Sequence, residues 1–273
     1  REGVMSRGLG DVYKRQDHLG AHERKGKIRQ RLLKIRAKKV VIATGAIERP
    51  LIFSNNDRPG IILSSSIKKY IDYYGVKTGE SISLFTNNDS AYETAISLNK
   101  SGVKVKVIID IRENPSSILS EKIEKTGIKI LRGYTITNTD GYKRIKSIDV
   151  MKLSKDGENV VGKKITYKCD CLGISGGWTP MVHLFTQSGG KLKFRNNDNV
   201  FIPDENKTPS KQISVGSSNG DFELDDVINN TVKNIKIFLG LDKNDYENLD
   251  IKCSKENEMW KRINIMHINS DDK

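Results

Sequence analysis

The chain has 273 residues, of which 36% are hydrophobic and 30% are charged, and its formal net charge is +13. This composition excludes a disordered polypeptide, and the length suits one large domain or two small ones. No apolar run approaches the length of a membrane span, nothing resembles a secretory signal, and Cys169, Cys171 and Cys253 lack the spacing of a disulfide framework. We therefore expect a cytoplasmic protein with no membrane partner.

The positive charge has two interpretations, a nucleic-acid surface or an ordinary solvated surface. The lysines are spread along the whole chain and form no stripe with interleaved aromatic residues. This distribution favours the solvated surface, so no nucleic-acid partner is expected.

Residues 1–16 lack periodicity and end in "GLGDVYKRQ", which is typical of a translated cloning adapter. We interpret them as a spurious or flexible tail and exclude them from the fold prediction.

The first predicted elements lead to a glycine. Residues 31–42 read as a hairpin strand that feeds a buried strand, and this strand stops at "ATG", where Gly45 stands. The spacing of apolar residues then predicts a helix over 64–74, with Gly75 as its C-cap.

A βαβ unit follows. The pattern predicts a strand over 81–85, a helix opened by a Ser90–Glu93 capping box, and a second strand over 103–109 that ends on Asp110. Further predicted elements are a helix (118–125), a strand (128–131), an antiparallel meander (134–167), two strands (170–174 and 212–215) and an amphipathic helix that starts near Phe222. Alternating strands and helices predict an α/β fold with a parallel sheet covered by helices on both faces.

Three predicted strands end on glycine, at Gly45, at Gly176–Gly177 and at Gly216. Ligands of α/β folds bind where parallel strands end, and glycine lets a phosphate or ribose approach the main chain closely. One such turn has no functional meaning, because glycine also makes tight turns. Three of them favour a dinucleotide site, for which we name Thr44, Gly45, Gly216, Ser217 and Gly220 as candidate cofactor-binding residues.

The turn of the βαβ unit does not match a phosphate cradle. In the Rossmann fingerprint G-x-G-x-x-G/A, Thr86 and Asn88 stand at the first two glycine positions, and only Ala91 is compatible. Asp89 would repel a pyrophosphate, although Asp110 stands where an acid contacts the ribose. We predict a nucleotide-domain fold without a usable cradle.

Other residues support no assignment of chemistry. Cys169 and Cys171 are interpreted as core residues on one strand face, and His183 and Trp178 each have a structural interpretation at least as good as a functional one. We predict no catalytic residue and no metal site in this chain.

Long segments resemble the alpha subunit of heterotetrameric sarcosine oxidase. They are "VVIATGAIERPLIFSNNDRPGIILSSSIKKYIDYYGVKTGESISLFTNNDSAYETA", "SGGWTPMVHLFTQSGGKLKF" and "VGSSNGDF", and the resemblance covers residues 17–240. It implies a two-domain, doubly wound dinucleotide-binding fold like that of pyridine-nucleotide disulfide oxidoreductases. It also implies that Thr44, Gly45, Gly216 and Ser217 lie beside the dinucleotide. Related flavoenzymes have Gly-Asp at the later position, where the Asp holds a cofactor hydroxyl, so Ser217 departs from the FAD pattern.

The resemblance also implies a role. In that family the alpha subunit binds NAD, while FAD and FMN serve the complex mainly on the beta subunit, beside gamma and delta subunits. The complex demethylates sarcosine to glycine, passes the one-carbon unit to tetrahydrofolate through a C-terminal domain of the alpha subunit, and forms hydrogen peroxide. An alpha subunit of a related amino-acid or opine dehydrogenase, or a non-enzymatic basic binding module, remain as alternatives.

Two features of that family are expected outside this sequence, namely the first glycine fingerprint and the folate domain. We therefore expect a central fragment with an incomplete first domain. The predicted organisation is a first dinucleotide domain over 17–78 and 170–240, a second Rossmann-like domain over 79–169, and a linker or ragged end over 241–273.

Overall fold

The computed structural model describes residues 10–16, 30–115 and 117–241, with side chains from residue 34 onward. These residues form two compact units. The first unit contains residues 10–16, 30–45, 180–194 and 201–241, and the second contains 46–179 and 195–200. Cys253 and the predicted linker lie outside the described residues, apart from Leu241.

A five-stranded parallel sheet forms the centre of the second unit. Its strands are β5 (Ile61–Leu63), β6 (Ser81–Thr86), β7 (Lys104–Asp110), β8 (Ile130–Arg132) and β12 (Cys171–Ser175). Their order across the sheet is β5-β12-β6-β7-β8, so the strand that comes last in sequence lies between two early ones. The register pairs Leu172 with Ile61 on one side and with Ser83 on the other.

Three helices cover one face of this sheet. They are α1 (Ser64–Tyr74), α2 (Ser90–Lys100) and α3 (Ile118–Glu124). Helix α1 has the predicted bounds, and Gly75 closes it in the left-handed conformation with φ +63°. Ile67, Leu84 and Leu98 are fully buried in the core between helices and sheet. The 3.6-residue spacing of apolar residues therefore placed these helices correctly.

An antiparallel meander covers the other face, where the sequence analysis expected helices, although the meander itself was predicted. It consists of β9 (Tyr134–Gly141), β10 (Ile145–Leu153) and β11 (Val160–Lys168). Ile136, Ile148 and Val150 pack in a second core cluster with Phe85 and Val107 of the parallel sheet. Strand β11 is an outer strand of the meander and is largely exposed, with Lys163, Lys164 and Lys168 along it.

The first unit contains a parallel pair of short strands. They are β3 (Val40–Ile42) and β16 (Gln212–Ser214), which pair from Val40–Gln212 to Ile42–Ser214. Strands β1 (Gly10–Gln16) and β2 (Gln30–Arg36) form an antiparallel pair. The remaining elements are α4 (His183–Gln187) and α5 (Leu224–Leu239). Helix α5 carries no buried residue among those described.

Short paired strands complete the described chain. Strands β4 (Ala46–Glu48) and β13 (Trp178–Pro180) form one two-stranded sheet, and β14 (Leu192–Arg195) and β15 (Val200–Pro203) form another. Glu48 is buried, and its Oε2 accepts a hydrogen bond of 2.8 Å from the Ser65 amide in the first turn of α1. A glutamate outside the helix thus supplies the cap that the preceding Leu63 cannot provide.

The two compact units divide the chain differently from the predicted domains. Strand β5 and helix α1 belong to the second unit, although the sequence analysis assigned 17–78 to the first domain. Strand β12 also belongs there, whereas 170–240 was assigned to the first domain. The reason is strand pairing, because β12 fills the position between β5 and β6. The segment 1–16, excluded as a tail, contributes strand β1.

The two described cysteines are core residues, as the sequence indicated, but they do not share one face. Cys169 packs in the cluster beneath the meander, and Cys171 packs in the cluster beneath the helices. Cys169 precedes β12, so the two-residue period of a strand does not apply to the pair. Burial raises the pKa of the Cys169 thiol to about 11 and also raises the pKa of Cys171.

Both thiols should therefore resist alkylation in the folded protein. At pH 8 a thiol with a raised pKa stays protonated, and only the thiolate is an effective nucleophile. We expect iodoacetamide to leave Cys169 and Cys171 unmodified in the native chain and to modify both after unfolding in urea, as measured by peptide mass spectrometry. Modification of either residue in the native chain at the rate seen in urea would contradict the buried assignment.

Candidate functional site: two edges of parallel strands

The five predicted cofactor-binding residues lie at one edge of the first unit. Thr44 and Gly45 follow β3, and Gly216, Ser217 and Gly220 follow β16. Because the two strands are parallel neighbours in register, their carboxyl ends open at the same edge. This is the position at which open α/β sheets bind ligands. The structure thus brings together residues that are more than 170 positions apart in the chain, Gly45 and Gly216 being one such pair.

Gly45 leaves its part of this edge open. Its φ is +73°, a left-handed conformation that favours glycine, and no atom of the described residues lies within 4 Å of the position that a Cβ would occupy. The preceding Thr44 is exposed, and its Oγ1 donates a hydrogen bond of 2.6 Å to the Met181 carbonyl. Among the residues that the structure describes, no side chain stands between a ligand and the main chain at Gly45.

The loop after β16 makes a tight turn against β3. Residues Gly216–Asn219 form a 3₁₀ turn, and Gly216 and Gly220 have φ values of +64° and +90°. The buried Ser218 hydroxyl lies 3.2 Å from the Ile42 carbonyl oxygen and 2.9 Å from that of Val215. Sequence reasoning named Ser217 and overlooked Ser218, because a buried serine that joins two strand ends has no local pattern.

The chemistry of this edge suits a ligand rich in hydroxyl groups. It offers main-chain groups at glycines and the side-chain hydroxyls of Thr44 and Ser217, which can bind a ribose by hydrogen bonds. Helix α5 begins nearby in sequence, but Asp225 and Asp226 occupy its first turn. These carboxylates oppose the attraction of a helix N-terminus for phosphate. The residues therefore fit the ribose part of a dinucleotide better than its pyrophosphate.

The second unit presents a similar edge that is filled by side chains. Thr86 Oγ1 accepts a hydrogen bond of 3.0 Å from the Asn88 amide, and it lies 2.8 Å from the Asn88 carbonyl oxygen. The Asn88 side chain reaches across to β12, with Nδ2 at 3.2 Å from the Ser175 carbonyl oxygen and 3.0 Å from Ser175 Oγ. Asn88 is fully buried. Side chains thus occupy the positions at which the Rossmann fingerprint has glycines.

The N-terminus of α2 is capped in a way that corrects the prediction. No Ser90–Glu93 capping box forms, because Ser90 is already the first helical residue. Instead, Asn88 Oδ1 accepts a hydrogen bond of 3.0 Å from the Ser90 amide, and Glu93 forms an ion pair with Lys68 at 2.6 Å. The amide that a phosphate would use at this helix N-terminus already has an acceptor.

Asp110, expected at the ribose position, is buried in an ion-pair cluster. Arg112 donates from one terminal nitrogen to Asp110 Oδ2 at 2.8 Å and to Asp89 Oδ1 at 2.7 Å. The Tyr92 hydroxyl donates to Asp110 Oδ2 at 2.7 Å. Burial, together with the Asp110 charge, raises the pKa of Tyr92 well above its ordinary value. We call Tyr92, Asp89, Asp110 and Arg112 the arginine cluster. A pyrophosphate does not fit at this turn.

The remaining candidates have structural surroundings. The Trp178 indole donates a hydrogen bond of 2.8 Å to Ser90 Oγ, and His183 is exposed at the start of α4. Within the described ranges, no group of three or more His, Cys, Asp and Glu residues is arranged to hold a metal ion. In the same part of the chain, no helix is long and apolar enough to cross a membrane.

Residues 11–222 match the family described as pyridine nucleotide-disulphide oxidoreductase, and the chain belongs to this family of oxidoreductases. Two solved structures share the fold. An L-proline dehydrogenase from P. horikoshii has a TM-score of 0.54 at 22% identity over 77% of this chain and 37% of the other. A thioredoxin reductase from T. acidophilum has a TM-score of 0.51 at 18% identity over 69% and 60%. The predicted dinucleotide-binding α/β fold is confirmed.

Curated relatives are alpha subunits of sarcosine oxidase. The chain is 37% identical to the subunit of Corynebacterium sp. (strain U-96) over 70% of this chain and 20% of the relative. It is 35% identical to that of Rhizobium meliloti (strain 1021) over 59% and 15%. The predicted resemblance is therefore confirmed. The chain spans about a fifth or less of the length of these relatives.

The hydrogen bonds of Ser218 provide a test of how the first edge is held. Ser218→Ala removes a buried hydroxyl that lies against two carbonyl groups, and a lost hydrogen bond of this kind costs about 1 kcal/mol. We expect a lower free energy of unfolding by about that amount in urea titrations. Ser217→Ala, in the same turn and only half-buried, is the matched control. Equal stability of the two variants would show that Ser218 does not hold the turn.

Proposed function

We propose that this chain forms the NAD-binding part of the alpha subunit of a sarcosine oxidase complex. The observation that carries the proposal is the shared edge of β3 and β16, where Gly45 and Gly216 both have positive φ values. The identity of 37% to a sarcosine oxidase alpha subunit supports the assignment to this complex. In this proposal Thr44, Gly45, Gly216, Ser217 and Gly220 contact the cofactor.

NAD is preferred over FAD at this edge for a chemical reason. Ser217 stands where related flavoenzymes have an aspartate that holds a cofactor hydroxyl, so the carboxylate contact of the FAD pattern is missing. A serine hydroxyl still donates or accepts one hydrogen bond to a ribose. When bound, NAD would supply a nicotinamide ring capable of hydride transfer. The residues of this chain would bind and orient the dinucleotide through main-chain groups and hydroxyls.

The oxidation of sarcosine itself is assigned to partners. We attribute no catalytic residue to this chain. In this proposal FAD and FMN belong mainly to the beta subunit, gamma and delta subunits complete the complex, and tetrahydrofolate is bound by a further domain of the alpha subunit. The complex would convert sarcosine to glycine in the cytoplasm, with formation of hydrogen peroxide.

Gly45→Ala tests the cofactor edge. A Cβ would enter the open space at Gly45, so we expect the dissociation constant of NAD⁺ to rise at least about tenfold, which corresponds to about 1.4 kcal/mol. The measurement is calorimetric titration of a full-length alpha subunit that contains this segment. Gly102→Ala is the control, because Gly102 has a φ of +71° and equally open surroundings but lies in the turn after α2. Equal NAD⁺ affinity of the Gly45 variant and the parent would refute the assignment.

A second experiment tests whether the oxidation of sarcosine requires partner subunits. The 273-residue chain supplied with sarcosine, FAD and FMN should produce no hydrogen peroxide and should bind NAD weakly, because the described residues supply only one edge of a cofactor site. An intact sarcosine oxidase complex in the same peroxide assay is the positive control. Turnover of sarcosine by the isolated chain would contradict the assignment of the chemistry to partner subunits.

A further inference from the structure

We propose that the nucleotide edge of the second unit is closed by its own side chains, and that Arg112 occupies the role that a bound nucleotide has in other Rossmann domains. The inference concerns residues 46–179 and does not rest on the function proposed for the first unit. It assigns to the arginine cluster the task of joining the ends of β6 and β7 in the absence of any ligand.

The arginine cluster lies at the carboxyl ends of β6 and β7. Strands β6 and β7 are parallel neighbours, and Thr86 pairs with Asp110 at their carboxyl ends. Asp89 lies in the turn after β6, and Asp110 is the last residue of β7. In a nucleotide-binding Rossmann unit, the pyrophosphate lies at the first of these turns and the ribose at the second. Here the Arg112 guanidinium bridges the same two places.

The charged side chains of the arginine cluster are buried. The Arg112 side chain is fully buried, and the side chains of Asp110 and Asp89 are 0% and 5% exposed. The Arg112 amide and Nε also donate to Asp110 Oδ1, at 2.9 and 3.1 Å. A ligand could reach this guanidinium only by breaking a buried ion pair. Breaking such a pair leaves an uncompensated charge in a medium of low dielectric constant, which is strongly unfavourable.

The carboxylates of the arginine cluster outnumber its guanidinium group. The cluster contains two carboxylates and one guanidinium, and Tyr92 adds a neutral hydroxyl, because its pKa is raised. The Arg112 guanidinium also lies 5.8 Å from the Tyr92 ring. Displacement of Arg112 would expose a pyrophosphate to two negative charges. The cluster therefore excludes phosphate electrostatically as well as sterically.

The alternative is that Arg112 binds the phosphate of a nucleotide. Arginine binds phosphate well through its forked donors, so a flexible arginine here would be a nucleotide ligand. Asn88 opposes this alternative, because its side chain is held on Ser175 and on the Ser90 amide and fills the turn. Opening the site would require Asn88 and Arg112 to leave together.

Hydrogen–deuterium exchange of the 273-residue chain with NADH or NADPH at millimolar concentration distinguishes the two roles. We expect no added protection of the amides from Asn87 to Ala91 with either dinucleotide. Protection of that turn would overturn the inference. Protection at residues 44–45 or 216–220 would instead bear on the proposed function alone, so the two proposals fail separately.

A pair of variants tests the structural role of the cluster. Arg112→Met removes the buried cation, and Lys77→Met removes the cation of the exposed Lys77–Glu80 pair, whose side chains are 50% and 79% exposed. We expect a large fall in the thermal midpoint for Arg112→Met, or failure to fold, and almost no change for Lys77→Met. Equal midpoints for the two variants would overturn the structural role.

Discussion

The second unit depends on one strand, β12, that enters the sheet between two strands formed much earlier in the chain. All five of its residues are buried, and it pairs on both sides. Gly173 makes this possible, because a Cβ there would lie 2.6 Å from Leu84 Cδ2 and 2.7 Å from Ile67 Cδ1. Leu172 contributes to the core beneath the meander and Cys171 to the core beneath the helices. Neither core is complete until a loop of about a hundred residues has closed, which makes this a fold of high contact order.

The parallel strands of the two units have different residues at their carboxyl ends. In the first unit, glycines leave the main chain accessible. In the second unit, Asn88 and Arg112 fill the corresponding space with hydrogen bonds and ion pairs. A Rossmann topology therefore does not by itself establish a nucleotide site, because function depends on the residues at the strand ends.

Local sequence patterns predicted most helices and strands, but they did not predict which strands pair with each other. Periodicity gave α1 its bounds, and alternation gave the meander. The predicted boundary at residue 79 does not coincide with the start of the second compact unit, because the pairing of the three-residue strand β5 with β12 is not encoded near either strand. The capping of α2 by Asn88 and the pairing of Asp89 with Arg112 both depend on contacts between strand ends. Sequence reasoning therefore recognised Asp89 and Asp110 as notable and did not recognise Arg112.

The lysines of β11 give the bulk charge a physical meaning. An outer strand has unpaired main-chain groups that can template association with another copy, and β11 also exposes Val161 and Ile165. Lys163 and Lys168 place like charges along this strand, which oppose the edge-to-edge approach of a second copy, whereas Lys164 is paired with Asp149. The repulsion weakens as salt shortens the Debye length, which is about 10 Å at 0.1 M. Concentrated salt thus weakens the charge repulsion that these lysines provide along the exposed strand.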